Sequence, residues 1–156
     1  ATMTGLAHHH TIYIRCRAAE LWAALTESEQ TPKWFLGTTI ESSFEVGAGL
    51  RLLAHGQGEE WEAAKVEAIV GKILEVEPKR RLVYEFRFCD LADPAGELAW
   101  TISEVPNTLG VVRLDVDHRG FEGESASWQR TRAGWPVILS CLKTWIETST
   151  PLEISG

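Results

Sequence analysis

From residue 81 to residue 88 the chain alternates with a period of two, placing Leu82, Tyr84, Phe86 and Phe88 on one side and Val83, Glu85 and Arg87 on the other. A strand with one face on a core has this pattern. The same period recurs over residues 10–16 and 50–54 and in a long run over 65–77 that Pro78 stops. It returns in Leu98, Trp100 and Ile102, and over 111–118, where Leu114, Val116 and His118 align. Ile40, Ser42 and Phe44 form a shorter alternation. Gly47 and Gly49, His55-Gly56-Gln57-Gly58, residues 90–96 with Asp93-Pro94, and residues 105–110 mark the turns between these runs. Strands so close in succession predict an antiparallel meander, and the charged alternates Arg113, Asp115 and Asp117 turn its other face to water.

Three segments carry helical patterns. Residues 18–26 consist of strong helix formers with Leu21, Trp22 and Leu25 on one face, and residues 28–35 follow as a second short helix with Ser28 as N-cap. In residues 125–148, Trp128, Trp135 and Leu142 recur every seven positions beside Leu139, Ile146, Ile138 and Trp145, the stripe of a long amphipathic helix. Pro136 next to Gly134 and Trp135 predicts a kink or restart there. The order of elements predicts an α+β fold in one domain spanning residues 1–156. A strongly curved antiparallel sheet of six to seven strands wraps the long C-terminal helix, and two short helices follow strand one.

The 156 residues carry a net charge of −7, and the one basic run, Lys79-Arg80-Arg81, sits in a turn. That balance excludes nucleic acid and anionic membranes as partners. No apolar run reaches the roughly 20 residues of a membrane span, and the N-terminus lacks the order of a signal peptide, so no membrane insertion and a cytoplasmic location are expected. Cys16, Cys89 and Cys141 are odd in number and far apart, which favours reduced, buried thiols. His8-His9-His10 reads as a tag remnant, a metal site or the lead into the first strand, and no further ligand stands at metal spacing. Enzyme signatures are absent; no catalytic residue, metal or cofactor is assigned.

One count changes the picture: seven of the fourteen aromatic residues are tryptophan. Each buried indole is worth about 4–6 kcal/mol as an upper bound. Trp22 and Trp145 lie on helix faces aimed at the sheet and suit packing, whereas Trp34, Trp61, Trp100 and Trp135 lie at element ends or on the concave face, where core and cavity wall are both open. With Tyr84, Phe86, Leu114, Val116, His118 and Leu139 they make the candidate lining of a ligand cavity. His118, inward among apolar neighbours, would orient a ligand's polar end or act as acid or base, unless backbone groups satisfy it. Glu59-Glu60-Trp61-Glu62 is an acidic stretch with one aromatic contact residue.

These residues resemble the activator of heat-shock protein 90 ATPase-like family of the START/SRPBCC, or helix-grip, superfamily. The likeness rests on Tyr13-Ile14-Arg15 leading into Leu21-Trp22-Ala23-Ala24-Leu25-Thr26, the turn Val46-Gly47-Ala48-Gly49, and the run from Gly71-Lys72-Ile73-Leu74 through Pro78 to Val83-Tyr84. His118-Arg119-Gly120-Phe121 and Gly134-Trp135-Pro136 complete it. The chain departs from the pattern at Arg17-Ala18, where Ser or Thr then Pro is usual, at a cost of about 1 kcal/mol of helix capping. It is also richer in acid over residues 58–64. The resemblance implies a cavity between sheet and long helix for a hydrophobic or aromatic small molecule. It implies as alternatives a chaperone partner, whose ATPase would be stimulated, or a cyclase or hydrolase activity using His118. Either a monomer or a homodimer is compatible.

Overall fold

The computed structural model describes residues 6–54 and 66–153. Strand β1 (Leu6–Arg15) is followed by helix α1 (Ala18–Thr26), a 3-10 turn (Thr31–Lys33), and strands β2 (Thr39–Glu41), β3 (Gly49–Ala54), β4 (Val66–Glu77), β5 (Arg81–Phe88), β6 (Gly96–Glu104) and β7 (Val111–Phe121). Helix α2 (Ala126–Thr148) closes the order. The strands form one seven-stranded antiparallel sheet in the order β1-β7-β6-β5-β4-β3-β2. The expected α+β architecture is therefore the observed one.

The alternation in the sequence becomes rows of side chains across the sheet. His8 pairs with His118 and His118 with Leu98, while His10 pairs with Val116 and Val116 with Trp100. Leu98 faces Tyr84, and Trp100 faces Leu82. These residues point toward α2. On the opposite face Arg113 bonds Asp115, Arg119 bonds Glu97 at 2.6 Å, and His9 bonds Asp117 at 2.6 Å, so that face is solvated as expected.

Gly71 of β4 permits a close backbone approach to β5. A Cβ built there would lie 1.6 Å from the carbonyl oxygen of Glu85 on β5. Strand bending of this kind is where glycine is needed.

Three local expectations change. The second short helix of residues 28–35 is only a 3-10 turn with Gln30, not Ser28, at its N-cap. Pro32 removes a donor, and Leu36 and Gly37, both left-handed, turn the chain away. The alternation through Phe44 stops at Glu41, because Phe44 is itself left-handed at φ 58°. Helix α2 runs without a restart through Pro136. Ser125 caps it by accepting from the Trp128 N–H, and the Asp93 carboxylate accepts from the Ser127 N–H at 2.8 Å. At α1 the missing cap is offset in part: the Glu20 carboxylate accepts from the Arg17 backbone N–H and from its Nε, both at 3.1 Å.

Helix α2 lies along the free edge of β1, where Lys143 donates to the Tyr13 carbonyl and the Arg15 N–H donates to Glu147. No helix among the described residues is long and apolar enough to cross a membrane, and no group of three His, Cys, Asp or Glu among them could hold a metal.

Candidate functional site

Nine of the ten candidate residues lie together between the sheet and α2; Trp61 lies outside the described residues. Strands β5, β6 and β7 supply Tyr84 and Phe86, Trp100, and Leu114, Val116 and His118, in that order. Helix α2 supplies Trp135 and Leu139 from above, and the 3-10 turn delivers Trp34 at its C-cap. Trp34 is anchored there by an Nε1–H bond to the Ala24 carbonyl at 2.9 Å.

The rings pack on one another. Trp100 stands edge-on to Trp34 and to Trp135 with centroids 5.8 and 5.5 Å apart, and Phe35, which the sequence reading did not single out, touches all three indoles. The Trp100 N–H donates to the Tyr84 hydroxyl at 3.1 Å, and burial pushes the Tyr84 pKa well up. By contrast Trp22 and Trp145, assigned to packing, are only half-buried.

His118 is the polar member of this set. Its residue is 1% exposed, and its ring touches Phe86, Phe121 and Trp135 at centroid distances of 4.7, 4.5 and 5.7 Å. Nδ1 accepts the Trp135 N–H at 3.1 Å, so in the neutral ring Nε2 carries the proton. Among the described residues that Nε2–H has no acceptor. Burial first, and then the nearby His8, push the His118 pKa down to about 3. Among the described residues no carboxylate pairs with either ring nitrogen, which leaves an acid–base role without an orienting partner there.

His8 also faces inward. It stacks on Trp128 at 5.7 Å, and its Nε2–H donates to the Thr131 hydroxyl at 2.8 Å. Of the three readings open for His8-His9-His10, the structure shows strand residues, and the period of two through Ile14 and Ile12 carries His10 and His8 onto the inner face. Burial lowers the pKa of both. The thiols are raised: Cys16 by burial to about 11, Cys89 and Cys141 also by burial; Cys16 and Cys141 are core residues, whereas Cys89, expected to be buried, is only partly so.

These shifts set an acid sensitivity. A histidine with a depressed folded-state pKa binds its proton first in the unfolded chain, so stability falls as pH drops from about 6.5 toward 3. For His118 the loss between pH 7 and pH 5 is about 2 kcal/mol. Urea midpoints measured across that range should fall accordingly, and His118→Phe should flatten much of the slope. A midpoint constant from pH 7 to pH 5 would contradict the buried neutral ring.

Two hollows open to solvent nearby. One, of about 370 Å³, lies between the 3-10 turn and α2, with Trp34, Ile138 and Cys141 as floor and Leu36, Val137 and Leu152 at the rim. Those three rim residues are 62%, 41% and 40% exposed, which makes an apolar mouth against the aromatic interior. The other, about 250 Å³, is lined by His8 and His118 together with outer-face residues of which His9, Arg81, Glu97, Asp117 and Arg119 are already ion-paired.

The sequence model of a family described as "Activator of Hsp90 ATPase homolog 1-like protein" matches residues 15–147. No curated protein matches significantly. Among solved structures, CalU16 from Micromonospora echinospora is 20% identical, with a TM-score of 0.69 over 93% of this chain and 78% of that one. The Aha1 dimer from Colwellia psychrerythraea is 16% identical at a TM-score of 0.69, over 92% and 97% of the two chains. An HSP90 activator from Plasmodium falciparum is 16% identical at a TM-score of 0.71, over 90% and 95%. At such identities the likeness is one of fold.

Proposed function

The chain belongs to the Activator of Hsp90 ATPase homolog 1-like protein family, and from that premise we propose that it binds a hydrophobic, ring-bearing small molecule between the sheet and α2. The observation that carries this reading is the buried Nε2–H of His118, a donor without an acceptor among the described residues inside the aromatic interior. Such a group costs about 1–3 kcal/mol, which a ligand oxygen would recover. Trp34, Tyr84, Phe86, Trp100, Leu114, Val116, Trp135 and Leu139 supply the apolar walls, and the mouth rimmed by Leu36, Val137 and Leu152 supplies the way in.

The rings are in contact, so entry requires them to part. A two-ring molecule hiding about 300 Å² would gain about 7–8 kcal/mol before that cost, which sets micromolar affinity or weaker. Titration with flavonoids, polyketide-like aromatics and fatty acids should quench tryptophan fluorescence saturably for the aromatic compounds. It should also raise the melting temperature, since ligand at about 100 times Kd adds about 2.7 kcal/mol. Absence of both responses across the panel would overturn the reading.

The competing reading is a co-chaperone that stimulates a heat-shock ATPase, favoured by the family description and by the HSP90 activator that shares the fold. The net charge of −7 weighs against docking on an acidic partner. Addition of the protein should leave the chaperone's ATP turnover unchanged; stimulation would put this reading first.

A further inference from the structure

Resting on the ligand-binding reading, we infer that the occupant's polar end is an uncharged hydrogen-bond acceptor, such as a ring ketone or quinone oxygen, and not a carboxylate. Two buried side-chain polar atoms among the described residues lack a partner, His118 Nε2 and Trp128 Nε1, and both are donors. Neither is an acceptor waiting for a donor. The two rings flank His8, whose centroid lies 6.3 Å from His118 and 5.7 Å from Trp128. Phe121 touches both His8 and His118, at 5.1 and 4.5 Å, so the donors belong to one aromatic cluster at the start of α2.

Gly96 keeps the Nε2 edge of His118 clear. A Cβ at that position would stand 3.4 Å from Nε2 and 2.8 Å from the Arg119 carbonyl oxygen.

The charge around the cluster selects against an anion. His118 is held neutral by its surroundings and offers one N–H dipole, and its neighbours Phe86, Phe121 and Trp135 are uncharged. The N-terminus of α2, the feature that would otherwise favour negative charge, is already served by Asp93 at the Ser127 N–H. Arg130 is held by Asp90 at 2.8 and 2.9 Å. Arg132 covers the Trp128 ring at 5.3 Å from an exposed position, outside the buried cluster. A carboxylate carried inward would lose its hydration for neutral donors, a poor exchange, whereas a ketone or quinone oxygen loses little and recovers a hydrogen bond there.

Three probes of matched shape test this: 2-acetylnaphthalene, 2-ethylnaphthalene and 2-naphthoate, each titrated against the full chain by calorimetry or fluorescence. The ketone should bind about tenfold tighter than the ethyl compound, the worth of one net neutral hydrogen bond, and the carboxylate weakest. Trp128→Phe keeps a ring against His8 but removes the unpartnered N–H together with part of the indole, so it is read as the ratio of ketone to 2-ethylnaphthalene affinity, in which the shared loss of packing cancels. That ratio should narrow about threefold or more. Naphthoate binding at least as tightly as the ketone, or ketone and ethyl compound binding alike, would overturn the inference while leaving the ligand-binding reading in place. Failure of all three probes to bind, together with a silent wider panel, would remove that reading and the inference with it.

Discussion

Trp135→Ala is expected to lower the unfolding free energy by about 3–5 kcal/mol, the range for deleting a large buried aromatic. Trp135 is 1% exposed and is one of the points at which α2 meets the sheet, touching Phe35, Phe86, Trp100 and His118. Its loss removes four ring contacts and also the donor to His118 Nδ1, so both nitrogens of a buried imidazole would then lack partners. Trp135→Phe would refill most of the volume and isolate the hydrogen bond, with an expected cost nearer 1–3 kcal/mol. Thermal melts separate the two: for a chain of this size the alanine variant should melt on the order of 10 °C lower and the phenylalanine variant a few degrees lower. Equal losses would mean that the hydrogen bond, not the packing, holds α2 in place.

The inner face of β5, β6 and β7 was legible because one side of each strand is buried, and a period of two then assigns every side chain. A slip by one residue would expose Leu82, Tyr84 and Phe86 together, so the pattern and the register agree. The bounds of α1 and β5 follow for the same reason: composition and periodicity change abruptly at Arg17, Pro78 and Cys89.

What could not be read from local pattern is what depends on two layers meeting. The bond from Trp135 to His118 joins α2 to β7 across the interior and has no signal in either segment. The placement of Trp34 depends on left-handed Leu36 and Gly37, and leucine gives no warning of such a turn. The indoles show the same limit: spacing placed Trp100 on β6 and Trp135 on α2, but their contact with one another and with Phe35 required the sheet's curvature. Trp128 was visible only as the seven-residue companion of Trp135, and its unpartnered N–H belongs to the docked helix.

That curvature leads to Gly71, where Gly71→Ala is expected to cost more than about 3 kcal/mol and to approach loss of folding, given total stabilities of about 5–15 kcal/mol. The effect would not come from backbone strain, since Gly71 is not in the left-handed region. It would come from collision. The new methyl carbon would lie 1.6 Å from the Glu85 carbonyl oxygen and 2.5 Å from the carbon behind it, and both are backbone atoms that no rotamer change can move. Relief requires β4 to part from β5 between the paired positions Val70–Arg87 and Ile73–Tyr84. Parting there flattens the sheet beneath Phe86 and Tyr84, which carry the aromatic interior. Gly49→Ala is the matched control: it also lies in a strand, at β3, and a Cβ there meets nothing within 4 Å, so its cost should be small. Denaturant unfolding of both variants decides the matter, and a Gly71→Ala protein as stable as Gly49→Ala would show that the two strands do not approach so closely and that the bend over α2 arises elsewhere.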